Sequence, residues 1–106
     1  MALTRDFRLT IMERARRDPG FRRALFLQAM EAFLEGDPQL GKMILRDLIN
    51  ATIGFEKLAA EVQLPSKSLH RMFSARGNPS TNSFFSIVKA LQRKNKIRLR
   101  VTTKAA

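Results

Sequence analysis

Residues 55–74 read FEKLAAEVQLPSKSLHRMFS, and their spacing decides how the rest of the chain is organised. Leu58, Ala59 and Val62 recur at helical intervals. Gln63-Leu64-Pro65-Ser66 interrupts them, and Leu69, Met72 and Phe73 resume the repeat on a second short segment. Pro65 drives Leu64 out of the α region and so stops the first helix. Ser66 is expected as the N-cap of the second, its side-chain oxygen accepting from the unpaired N–H groups there. Ala59 is small enough to let the second helix cross closely over the first. Two helices crossing at about 90–120° through such a turn form a helix-turn-helix, the arrangement whose second helix enters the major groove of DNA.

Outward from this stretch the same start and stop signals recur. Leu3, Phe7, Ile11 and Ala15 repeat every four residues and predict a helix over residues 4–17. Asp18-Pro19, a cap followed by proline at the first helical position, opens a second helix to about residue 34, with Phe21, Leu25, Ala29 and Phe33 as its stripe, widened by Phe26 and Met30. Gly36 closes it, and Asp37-Pro38 opens a third, to about residue 53, with Leu40, Ile44, Leu48 and Ala51 expected inward. Gly54 ends that helix. Beyond residue 74 a loop rich in turn residues leads to Ser80, the expected cap of a helix over residues 81–93 that buries Phe84, Ile87, Val88 and Leu91. Then Ile97, Leu99 and Val101 alternate with Arg98, Arg100 and Thr102, which is strand spacing.

The 106 residues, 44% of them apolar, fit one modest core. With no cysteine there is neither a disulfide nor a thiolate metal site. No apolar run approaches the length of a membrane span, and Arg5, Asp6 and Arg8 are unlike a signal peptide, so a cytoplasmic protein without a membrane partner is expected. The net charge of +11 is unevenly placed: residues 1–36 carry +2, residues 37–106 carry +9, and no acidic residue follows Glu61. An unopposed basic segment that begins at the proposed recognition helix is the distribution a polyanion-binding surface requires. An enzyme is not expected, because one His, no Cys and scattered carboxylates provide neither acid–base pairs nor a metal site, and no cofactor is called for.

The stretch 55–74 resembles the helix-turn-helix of the lambda-repressor-like regulators, with Ala59 at the small position of the first helix, Leu64 at the apolar turn position and Leu69 at the apolar position of the recognition helix. More narrowly, NATIGFEKLAAEVQLPSKSLHRMFSARGNPS is similar to the addiction-module antidote proteins, antitoxins that carry this domain; residues 50–91 hold the likeness. The chain departs from the pattern at Gln63, where the turn usually has Gly, and at Phe55, where a phosphate-binding Gln often opens the first helix. The fold so implied is all-α: an N-terminal helical hairpin (1–36), a lambda-repressor-like helix-turn-helix domain (37–94) and a basic C-terminal strand or tail (95–106). The function implied is that of a transcriptional repressor which also binds and neutralises a small ribonuclease-type toxin. A stand-alone phage-type repressor and a basic nucleic-acid-binding protein without sequence preference are the alternatives.

With Leu69, Met72 and Phe73 turned inward, Ser66, Lys67, Ser68, His70 and Arg71 face outward. The recognition helix enters the groove by its N-terminal end, so the resemblance implies base contacts from Ser66 and Lys67, with Ser68 on base or phosphate. His70 is expected at the surface of the recognition helix, reaching DNA or solvated, and Arg71, Arg76 and Asn78 on phosphates. The Arg cluster at positions 14, 16, 17, 22 and 23 is read as structural or partner-binding. One short recognition helix reads few bases, so a homodimer is expected, joined at least partly through residues 96–103 pairing antiparallel with their copy; the competing reading reserves this strand for a toxin's sheet and leaves the N-terminal hairpin to make the dimer.

Overall fold

The computed structural model describes residues 5–106. Among these described residues six helices follow one another: α1 (Arg5–Arg17), α2 (Pro19–Leu34), α3 (Pro38–Ala51), α4 (Phe55–Val62), α5 (Ser66–Met72) and α6 (Thr81–Asn95). Leu3 and Thr4, the expected beginning of α1, lie outside the described residues.

Each start is fixed locally. The carboxylates of Asp18 and Asp37 accept from the backbone N–H of Phe21 and Leu40, both at 3.2 Å, and Ser80 Oγ accepts from Ser83 N at 3.1 Å. Each of these satisfies a donor that the helix itself cannot. The ends share one device as well. The N–H groups of Asp37, Gly54, Leu64 and Ile97 each reach back to the carbonyl five residues earlier, at 2.8–3.0 Å. At three of them, the ends of α2, α4 and α6, a left-handed residue stands just before the donor. Gly36 provides one at φ 83°. At the end of α4 and of α6 the residues that take it are Gln63 (φ 57°) and Lys96 (φ 54°).

The core is one cluster. Phe26 and Ala29 of α2 meet Leu45, Leu48 and Ile49 of α3, Leu58 and Ala59 of α4, Leu69 and Phe73 around α5, and Ile87, Val88 and Leu91 of α6. It therefore runs across the boundary between residues 36 and 37. Gly41 lets α2 and α3 approach, since a Cβ there would lie 2.6 Å from the Phe33 ring. Of the expected α3 stripe, Leu48 and Ala51 are buried and Ile44 packs on the core, but Leu40 is 41% exposed; Leu45, Ile49, Lys42 and Asp47 are buried beside them. Asp47 is held by Arg8, whose Nη2 donates to Oδ1 at 2.7 Å and ties α1 to α3. Phe7, placed by spacing on the apolar stripe of α1, is 52% exposed.

The expected C-terminal strand does not form; no strand occurs among the described residues. Lys96 reverses the chain, and residues 97–106 run on without regular structure. Ile97 and Leu99 pack on the protein's own core, while Arg98 and Arg100 point to solvent. The alternation is real, but the hydrogen-bond partner is a side chain: Leu99 N donates to Gln92 Oε1 at 2.9 Å. The apolar row that was to join two copies at residues 96–103 is thereby largely spent, leaving Val101.

Two substitutions test this packing. Leu69→Ala, at a fully buried position, is expected to lower stability by about 2–5 kcal/mol through the cavity it opens, read from the urea midpoint. Gln63→Gly is expected to raise that midpoint, because relief of about 1–2 kcal/mol of left-handed strain exceeds the entropic cost of glycine.

Candidate nucleic-acid interface

α4 and α5 are joined by Gln63, Leu64 and Pro65 and pack through Leu58, Ala59 and Leu69. Phe55, at the start of α4, closes this junction from the side. Its ring lies 6.2 Å from that of Phe73, edge to face, and stacks on His70 at 4.2 Å with an interplanar angle of 18°. His70 is exposed as expected, yet one face of its imidazole is taken by Phe55.

Ser66 is not the cap of α5. Pro65 holds that position, with no side-chain cap, and its carbonyl accepts the first bond of the helix from Leu69 N at 3.0 Å. One residue further on, Ser66 Oγ donates to Glu56 Oε1 at 2.8 Å and ties the first turn of α4 to the first turn of α5. With its proton given to Glu56, the hydroxyl keeps only its lone pairs for a further partner.

Lys67 stands fully on the outer side, and Arg71 reaches back to Ser68 Oγ at 3.4 Å. Arg76 and Asn78, on the loop after α5, are exposed. The structure brings Ser68, Arg71, Arg76 and Asn78 around one groove of about 430 Å³, floored by Leu64 and Met72. Lys67, Arg71 and Arg76 have no ion-pair partner among the described residues. A second groove, of about 750 Å³, lies along α6 and the tail, where Lys89, Arg93, Lys96 and Arg98 surround Phe85 and Ile97.

The loop that carries Arg76 and Asn78 is held from below by residues that the sequence patterns did not single out. Lys42, only 5% exposed, sends Nζ to the carbonyl oxygens of Gly77 (2.7 Å), Ser74 (3.0 Å) and Ala75 (3.4 Å). Gln39 Nε2 adds a bond to Ala75 O at 2.9 Å, and Arg46 Nη1 one to Phe73 O at 3.5 Å. Gly77 presses against the last turn of α5 so closely that a Cβ would fall 1.9 Å from Arg71 O and 2.6 Å from Met72 O. The available signal was the position of Lys42, which shares a helix stripe with Leu45 and Ile49 three and seven residues on.

No family model matches this chain, and neither a curated protein nor a solved structure matches it. Among the described residues no helix is long and apolar enough to cross a membrane, and no group of three or more His, Asp or Glu is placed to hold a metal ion.

Lys42→Met keeps the stem and removes the donors. It is expected to cost about 1–3 kcal/mol by stranding the carbonyls, and to speed amide exchange around Gly77 before the core opens. Exchange that changes equally throughout the chain would show that the ammonium holds no loop in particular.

Proposed function

We propose that this chain is a sequence-specific DNA-binding transcriptional regulator, with α4 and α5 acting as a lambda-repressor-like helix-turn-helix and α5 as its recognition helix. The observation that carries this reading is the gathering of exposed, unpaired cations on α5 and the loop behind it: Lys67, Arg71 and Arg76, with Asn78 beside them. No acidic residue follows Glu61, so α5 and the loop behind it carry no carboxylate of their own, although Glu56, bonded to Ser66, lies at the first turn of α5. Lys67, on the first turn, is the side chain suited to guanine acceptors; Arg71, Arg76 and Asn78 neutralise or bond phosphates and fix the register. Ser66 and Ser68 complete the surface, and His70, stacked on Phe55 by one face, presents its other face and edge.

The likeness to antidote proteins extends the proposal: the chain is the antitoxin of a pair, binding a small ribonuclease-type toxin and repressing the operon that encodes both. That extension is supported by residues 50–91 alone. A second reading, nucleic-acid binding without sequence preference, is favoured by the groove of Lys89, Arg93, Lys96 and Arg98, which adds cations where no base need be read.

Selection from a random duplex library at fixed salt separates the two, since a specific regulator enriches one motif and a non-specific binder none. On the enriched site, Lys67→Ala is expected to relax preference at one position by about 1–3 kcal/mol. Arg71→Ala should weaken enriched and random duplexes alike and lower the salt slope by about one ion. Equal losses on both duplexes for Lys67→Ala would remove it from base reading.

A further inference from the structure

α2 has two faces, and only one of them is used by the fold. Phe26, Ala29 and Ala32 are buried. On the opposite side Leu27 is 52% and Leu34 80% exposed, with Gly20 and Ala24 on the same exposed surface. A helix that is apolar on both sides is one that packs on both sides. At 3.6 residues per turn, Arg23, Leu34, Leu27, Gly20 and Glu31 fall within about 80° of arc.

The charges on this face are placed symmetrically about Leu27. Arg23 lies four residues before it and Glu31 four after; both are exposed, and neither has an ion-pair partner among the described residues. Turned end for end about Leu27, the helix sets Arg23 against Glu31, Glu31 against Arg23, and Leu34 against Gly20. The shape does not oppose this: a Cβ at Gly20 would meet only Asp18 Oδ1 at 3.4 Å and Arg23 Nη2 at 4.0 Å, so no bulky side chain at Gly20 stands against the projecting leucine. Parallel pairing would instead place like charges together, at a cost that selects against it. The other apolar row, Ile97 and Leu99, is already packed on its own core and does not compete.

We propose that the occupant of this face is a second copy of the chain, the two α2 helices packing antiparallel across a two-fold axis at Leu27. Such an isologous contact forms the Arg23–Glu31 pair twice and buries both copies of Leu27. It does not depend on what α5 touches, because it is tested without nucleic acid.

The chain has no cysteine, so Leu27→Cys introduces a single thiol on the axis. Under mild oxidation in dilute solution this variant is expected to give a covalent dimer. Leu34→Cys should not, because in this register its two copies lie about 21 Å apart along the helix, beyond the reach of a disulfide. In sedimentation equilibrium, Arg23→Glu and Glu31→Arg should each raise the dimer dissociation constant about tenfold or more, and the double exchange should return it to within about threefold of the original. Both positions are exposed, so helical circular dichroism should not change. A wild-type monomer at all concentrations overturns the proposal and leaves the face to a different protein. Cross-linking at position 34 in preference to 27, or a double exchange as weak as the singles, overturns it too.

Discussion

Burying Lys42 beneath the end of α5 is tolerable only because its ammonium finds the carbonyl oxygens of Ser74, Ala75 and Gly77 there. Those groups lie just past the end of α5, where the helix dipole is negative and carbonyls lack partners within the helix. A cation on a long apolar stem answers both needs at once: the stem joins the stripe of Leu45 and Ile49, and the head closes the loop. Five residues along the same helix Asp47 does the converse, receiving Arg8 from α1. α3 thus holds its neighbours by one buried charge of each sign, and the exposed residues of the loop inherit their positions from Lys42.

This arrangement separates stability from surface chemistry. The residues that fix the loop, Lys42, Gln39 and Gly77, are not those that present charge to solvent, Arg71 and Arg76. The outer side chains can therefore be exchanged with small effect on the core.

What the sequence made legible was local. Asp18-Pro19, Asp37-Pro38 and Ser80 announce helix starts because a cap acts on a donor three residues away, and Gly36 and Gly54 announce ends because few other residues take φ near 80°. What stayed hidden depended on distant partners. Rotating α3 by hydrophobic spacing put Leu40 inside, since charged Lys42 and Asp47 are assigned to water by default; only the carbonyls after α5 and the guanidinium of Arg8 make their burial affordable. Alternation at Ile97 and Leu99 specifies which side chains turn inward, but an extended tail alternates as a strand does, and the acceptor for Leu99 is a glutamine side chain. Of the candidate site, the helix and its outward residues were visible. That Ser66 would be drawn to Glu56, and His70 to Phe55, follows from the crossing of α4 and α5, which no periodicity encodes.

The bond from Lys42 to Gly77 joins residues 35 apart in sequence, whereas each cap closes over three. Closing a long loop costs entropy that a short one does not, so the helices and their caps can form early while this junction waits for α3 and α5 to meet. The loop bearing Arg76 and Asn78 is then among the last parts of the chain to take shape. A chain cut after residue 74 lacks Gly77, so the closure that holds the loop beneath Arg76 and Asn78 waits for residues made after α5.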